Sequence, residues 1–414
     1  MGSSSLKKRM GVGIGLSAIS AVFQLLAFCV NNLLAHTLGA AAFADYVLIA
    51  TDLSIFSVIA EFGTGALILS FFATRLGNPS IAQAIFRLRV GLGGFACAAM
   101  VVVSQFAHAL DGLALPCAIL ALGLLCSPAI VEWFFLGTRD WKNLVRFKLI
   151  HAATYLVGGL ALWASDCPSL EAVCLMVSIA PLPAFCFALT RLPKTGRALR
   201  RSQRKLVSIV LRKAVPYATS SLAGFAYLPA ILYAVNLCWS AADDKAAFSS
   251  AYKIIILLQA FTLQFLASEQ IFSQRRLSLG LWDKSRRTLA YTGIASLGTL
   301  PLALLGAWTP RLLFFGLQWT PEMMELAEQT IRVLLISIVL QFARMPALAQ
   351  ILADRRIRAC VAITLIGGVA NLFALAIAAR FAPQWVMIAG LTGDMAYSAL
   401  VVLYYLRLNA AQKL

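Results

Sequence analysis

The stretch RLPKTGRALRRSQRKLVSIVLRK, residues 191–213, carries nine Lys and Arg residues and no acid between two long apolar regions. The nine are Arg191, Lys194, Arg197, Arg200, Arg201, Arg204, Lys205, Arg212 and Lys213. Outward from it in both directions, basic residues recur at every second polar break, beginning with Lys7, Lys8 and Arg9. Set on one side, these breaks collect 29 of the 35 basic residues. The acids gather in the alternate breaks: Asp111, Asp166 with Glu171, Asp243 with Asp244, then Glu322, Glu325 and Glu328. This alternation is the positive-inside pattern of a polytopic membrane protein with both termini cytoplasmic.

The composition leads to the same class. At 61% hydrophobic, 13% charged and a mean hydropathy of +0.83, the chain is no soluble domain, which is ordinarily about a quarter charged. A net charge of +18 would suggest nucleic acid in a soluble protein. Here the excess is spread over the cytoplasmic breaks, so topology accounts for it and no nucleic-acid partner is expected. The apolar stretches fall at 11–35, 44–72, 84–106, 114–137, 146–164, 171–190, 215–237, 247–270, 288–308, 328–351, 358–381 and 385–406. Each is long enough to cross a hydrocarbon core of ~30 Å as a helix. The reading is an all-α polytopic membrane protein with about twelve transmembrane helices. Lys7 to Arg9 resemble the basic start of a signal peptide, but the apolar run behind them is too long for one, so it is kept as a helix. The stretch 191–213 divides the spans six and six, giving an N-lobe at 1–190, a basic cytoplasmic linker and a C-lobe at 214–414. Paired lobes of this kind commonly place a substrate path at their interface. The linker also suits a solvated or headgroup-bound amphipathic segment.

Polar residues inside the spans mark where lipid is excluded. In the first span Ser17, Ser20, Gln24 and Asn31 share one helical stripe, and in the seventh so do Tyr217, Ser220, Ser221, Gly224 and Tyr227. Such stripes either line a cavity or pack helix against helix. Ionisable residues are sharper markers, because a charge near the bilayer centre costs several kcal/mol unless paired or hydrated. They are Asp52 and Glu61 in the second span, Glu132 in the fourth, Lys253 and Glu269 in the eighth, Arg344 in the tenth and Asp394 in the twelfth. Glu132, Lys253 and Glu269 are near span ends and within snorkelling reach of the interface; Glu61 and Asp394 are near mid-span. Arg344, with Gln341 a turn before it and Pro346 just after, would be a natural ligand for phosphate oxygens if it opened onto a water-filled vestibule. Lys253 and Gln264 share a helical face, whereas Asp52 and Glu61 point to opposite faces of an unbroken helix.

Enzymatic chemistry finds no support. The chain has no G-x-x-x-x-G-K-[ST] nucleotide loop and no nucleophile–base or zinc constellation. Three histidines in three different segments offer no metal site. The nine cysteines are scattered without a C-x-x-C, and Cys167 and Cys174, the two nearest a possible oxidising compartment, are too poorly spaced to be expected as a disulfide. No cofactor is expected.

LLAHTLGAAAFADYVLI at 33–49 and AEFGTGALI at 60–68 are followed in order by SSAYKI at 249–254 and PRLLFFGLQWTPEMMELAEQTIRVL at 310–334. A closing pair of helices carries Asn371, Gly390 and YYLRL at 404–408. Together they resemble the polysaccharide transporter family, the Wzx-type O-antigen flippases of the MATE/MOP superfamily. The resemblance implies two six-helix bundles around a cation-lined cavity that opens alternately to either side. The cargo would be an undecaprenyl-diphosphate-linked oligosaccharide, a repeat unit of O-antigen, capsule or exopolysaccharide, moved across the bacterial inner membrane. It makes Lys253 and Arg344 the cations that meet the diphosphate, with Gln24, Asn31, Gln264, Gln341 and Asn371 as further polar contacts. Glu61, Asp394 and Asp52 become candidates for H+ or Na+ coupling or for pairing with the cations. Expected partners are membrane lipids, a polysaccharide polymerase and chain-length proteins. One departure concerns the seventh helix: such proteins often carry an acid a turn after its tyrosine, whereas this chain reads Tyr227-Leu228-Pro229-Ala230-Ile231. A multidrug or metabolite exporter of the same superfamily and a non-transporting scaffold of a polysaccharide assembly complex are the alternatives. The Arg and Lys favour an anionic cargo.

Overall fold

A computed structural model describes residues 22–23, 26–27, 29–64, 79–107, 112–138, 140–165, 168–192, 200–256, 258–259, 320–353 and 356–411. Among the described residues there is no strand, and seven helices are long and apolar enough to cross a membrane. The expected all-α polytopic architecture, about twelve spans in two bundles, holds. Gln24, Gln264, Glu269, Cys167 and the span expected at 288–308 lie outside the described residues.

In the N-lobe, α1 covers 29–38, α2 Ala40–Glu61, α3 Pro79–Ala107, α4 Ala114–Ala121, α5 Glu132–Thr138, α6 Trp141–Trp163, α7 Leu170–Ile179 and α8 Leu182–Arg191. In the C-lobe, α9 covers Arg200–Ala223, α10 Leu228–Cys238, α11 242–256, α12 Pro321–Ala353, α13 Ile357–Phe381 and α14 Leu391–Ala411. The linker expected over 191–213 is helical from Arg200 onward and enters the seventh span without a break.

Several spans that read as continuous helices are broken, and each break has a local cause. The second was expected over 44–72, but α2 stops at Glu61, where Phe62 and Gly63 turn left-handed at φ 45° and 62°. A Cβ on Gly63 would lie 2.6 Å from Tyr217 Cβ, so the turn brings this backbone directly onto α9. In the fourth span Pro128, which has no N–H to give, separates α4 from α5 by two short 3-10 turns. Ser178 of α7 packs against the end of α4, where its hydroxyl donates to the Ile119 carbonyl at 2.8 Å. Pro181 divides the sixth span, and the Thr154 hydroxyl donates to the Ala180 carbonyl at 2.6 Å. The seventh divides at Tyr227 ahead of Pro229, and Asn371 of α13 donates to the Ala226 carbonyl at 2.7 Å. In lipid a backbone group freed by a break needs such a protein partner.

Within the N-lobe α3 packs on α2 and α4, α4 on α7, and α6 on α8; within the C-lobe α14 packs on α12 and α13, and α9 on α13. The lobes meet in two places. On the basic side, α9 lies against α2 and α3 through Val210 and Ala214 with Ala82, Ile85 and Trp133. On the opposite side a larger apolar core joins α2, including Phe43, Tyr46 and Val47, to α10, α11 and the start of α12. Large apolar side chains such as Phe95, Phe106, Val157, Phe373 and Leu403 stay exposed, as lipid-facing surfaces require.

Candidate functional site

The lobe interface away from the basic side is lined by aromatics. Phe43 and Tyr46 of α2 meet ring to ring at 6.0 Å, and Trp239, Phe248 and Tyr252 form a chain on the C-lobe side at 5.8 and 6.1 Å. Lys253 projects from α11 across the interface, with its Nζ 5.1 Å from the centre of the Tyr46 ring. Among the described residues this ammonium pairs with no carboxylate. A cation held over a π-face gains less than one paired with an acid, so Lys253 keeps capacity for an anion. The Tyr233 hydroxyl of α10 also donates to the Asp52 carboxylate of α2 and ties lobe to lobe. Apart from Glu132 Oε1, which pairs with Lys148, two buried side-chain oxygens have no hydrogen-bond partner among the described residues: Asn31 Oδ1 on the first span and Ser249 Oγ on the eighth. The Asn31 amide nitrogen is spent on the Ala27 carbonyl at 2.8 Å.

A second group of charges sits inside the N-lobe toward the basic side. Arg89 of α3 is 2% exposed, donates from Nε to the Thr64 hydroxyl at 2.6 Å and lies 5.8 Å from the Trp133 ring centre. Glu61 and Glu132 are its acidic neighbours. Glu132 of α5 in turn pairs with Lys148 of α6 at 2.8 Å. Four helices thus each contribute one charge, alternating in sign. Arg89 was counted from the sequence with the cytoplasmic bases, although it lies five positions inside the span expected at 84–106. That inset was the signal that could have found it.

The third group is in the C-lobe core. Arg344 of α12 donates from Nη1 to Asp394 Oδ1 at 2.8 Å and to the Ser398 hydroxyl at 3.1 Å, with its guanidinium carbon 4.2 Å from the Tyr397 ring centre. The Ser337 hydroxyl donates to the other oxygen of Asp394, and Gln341 reaches Ser337 at 3.4 Å. Among the described residues Nε and Nη2 of Arg344 have no partner. Those two nitrogens form one of the bidentate edges of a guanidinium. The Arg344 side chain is 11% exposed and that of Asp394 1%. Arg344 therefore does not open its whole fork onto a vestibule; Asp394 holds one corner. Asn371, expected among the cargo contacts, bridges the 3-10 turn between α9 and α10 to α14: it donates to Ala226 O, and its Oδ1 accepts from Gly393 N–H at 3.1 Å.

The structure thus brings Arg344, Asp394 and Gln341 together, sets Lys253 and Asp52 at the lobe interface, and leaves Glu61 with Arg89 on the basic side. No cluster of three or more His, Cys, Asp and Glu side chains occurs among the described residues. Cys174 is a buried free thiol.

No family model matches the sequence, and no curated protein is similar enough to count as a relative. Solved structures do match. An inward-facing multidrug resistance MATE family transporter of the MOP superfamily aligns over 97% of this chain and 98% of its own, with a TM-score of 0.71 at 14% identity. The outward-facing conformation of such a transporter aligns over 97% and 96% with a TM-score of 0.73 at 15% identity. The fold is that of the MOP-superfamily transporters. A third protein with this fold, a MOP-superfamily transporter from Pyrococcus furiosus, aligns over 97% and 96% with a TM-score of 0.69 at 12% identity. It is described as having a binding pocket of reverse polarity that suggests a different function. The MOP fold thus spans nearly the whole of this chain, with the second, fourth, sixth and seventh spans locally broken as described above.

Proposed function

We propose that this chain is a flippase for an anionic, lipid-linked cargo: an undecaprenyl-diphosphate-linked oligosaccharide repeat unit carried across the bacterial inner membrane by alternating access. The observation that carries the reading is Lys253, a cation between the two lobes with no carboxylate partner among the described residues. An ammonium held between the lobes of a membrane protein is costly unless hydrated or matched by an anion, and a diphosphate supplies the anion. The open edge of Arg344 offers a second phosphate contact, and the vacant acceptors Asn31 Oδ1 and Ser249 Oγ suit sugar hydroxyls. A sugar diphosphate does not cross hydrocarbon unaided, because each unpaired polar group costs several kcal/mol. A groove between the lobes would shelter it and leave the polyprenyl chain in lipid. H+ or Na+ would couple through Glu61 or Asp394, and a polysaccharide polymerase and chain-length proteins would take the product.

The aromatic chain Trp239–Phe248–Tyr252 beside Tyr46 also favours a second reading, a multidrug or metabolite exporter. A host lacking the protein separates the two. The flippase reading expects lipid-linked repeat units to accumulate and surface polymer to vanish, with rescue by wild type and not by Lys253→Met at equal membrane level. Unchanged polymer with lowered resistance to a small molecule would establish the exporter. Rescue by both Lys253→Met and Arg344→Lys would leave only a scaffold role.

A further inference from the structure

Helix α9 begins on the basic side and runs without a break into the seventh span, so its first turns must pass through the headgroup layer. Its residues advance by about 100° each around the axis. Val210, Ala214 and Ala218 form one face, all buried, and this face carries the contact with α2 and α3 of the N-lobe. The opposite face carries Lys205, Ile209 and Arg212, with Lys213 and Val215 flanking it on either edge, all exposed. Ile209 is 51% and Val215 46% exposed, so apolar side chains are interleaved with the cations. A face meeting only water would not favour those two residues, and a face meeting only acyl chains would not favour the three charges. The combination fits the boundary between headgroups and hydrocarbon, where apolar groups sink and Lys and Arg reach the phosphates.

We infer that this face of α9 is a docking surface for anionic phospholipid of the cytoplasmic leaflet, of the phosphatidylglycerol class. Zwitterionic lipid offers the same phosphate without net charge, and juxtamembrane basic clusters discriminate on net charge. Because the inner face of the same turns joins the lobes, lipid held on the outer face also steadies that junction. The inference is independent of the cargo.

The full-length protein, purified and loaded with equal phosphatidylglycerol and phosphatidylcholine, is examined by native mass spectrometry for retained lipid. Wild type should retain phosphatidylglycerol at least fivefold over phosphatidylcholine. The variant Lys205→Gln/Arg212→Gln/Lys213→Gln should lose that preference, and the charge-keeping Lys205→Arg/Lys213→Arg should preserve it. As a control, Lys142→Gln/Arg146→Gln removes two exposed cations at the start of α6 on the same side and should leave the preference intact. Equal retention of the two lipids by wild type, or an equal loss in the α6 control, overturns the inference. In the second case the selectivity belongs to the basic side as a whole.

Discussion

Charge in the N-lobe is distributed over four helices and alternates in sign, Glu61, Arg89, Glu132 and Lys148, on the side where the chain's bases gather. In the C-lobe one acid and one base, Asp394 and Arg344, are set among Ser337, Ser398, Gln341 and Tyr397. A four-member chain retains partial compensation when one link is cut; an isolated pair retains none. The C-lobe pair is therefore the more brittle of the two, although it contains fewer charges. Both groups are neutral in sum, whereas at the lobe interface Lys253 has no carboxylate partner among the described residues and Asp52 takes the Tyr233 hydroxyl.

Cutting the C-lobe pair gives the largest expected effect. Asp394→Leu leaves a guanidinium buried without its acid, a change that costs about 3–5 kcal/mol in buried pairs, and thermal unfolding in detergent should register it as a large drop. The double variant Arg344→Leu/Asp394→Leu should recover most of the loss, since an apolar replacement of a buried pair is often neutral. If the double variant unfolds as readily as the single, the pair is not the source of the stability. Arg89→Met cuts the N-lobe chain at its centre, but Glu132 keeps Lys148, so the expected loss is smaller, about 2–3 kcal/mol by the same reasoning. A loss as large as that of Asp394→Leu would break the contrast between the lobes.

Asn371→Leu probes the polar joint rather than the charges. It strands the Ala226 carbonyl and the Gly393 N–H, and a buried group left unmatched costs about 1–3 kcal/mol. Gly393 sits so close to Asn371 that a Cβ there would approach its Cγ to 2.8 Å. Faster amide exchange around 224–229 is expected, with little change in the N-lobe; uniform loosening of both lobes would show that the joint is not local.

The architecture was legible because lipid makes severe demands on sequence. Long apolar runs and the alternation around 191–213 point to an all-α membrane chain of about twelve spans without any tertiary information. The breaks were harder to read. Pro128, Pro181 and Pro229 were visible, but proline inside a membrane span is tolerated when a neighbour satisfies the freed carbonyl. At two of the breaks the neighbour is Thr154 or Asn371, each distant in sequence from the carbonyl it meets. For the same reason Asn371 read as a polar contact for cargo when its hydrogen bonds are spent on backbone. Arg344 and Asp394 were both singled out by depth in their spans, yet periodicity within one helix says nothing of which helix lies opposite. Arg89 was hidden by its nearness to the bases that define topology.

The smallest stability effect and the largest functional one belong to the same substitution. Lys253→Met keeps length and apolar contact with Tyr46 while removing a charge that has no acidic partner among the described residues. What is lost is a cation–π contact of about 0.5–2 kcal/mol, offset by relief from holding an ammonium in a membrane interior. Thermal stability should therefore stay within about 1 kcal/mol of wild type. Export of polymer, on the flippase reading, should fall at least tenfold. Glu61→Gln and Arg89→Met should instead alter stability and export together, because those residues compensate one another. If Lys253→Met melts several degrees lower and exports normally, the lysine serves the junction between the lobes and the anionic cargo has lost its main support. If it melts as wild type and exports nothing, the lysine between the lobes is where the cargo's charge is met.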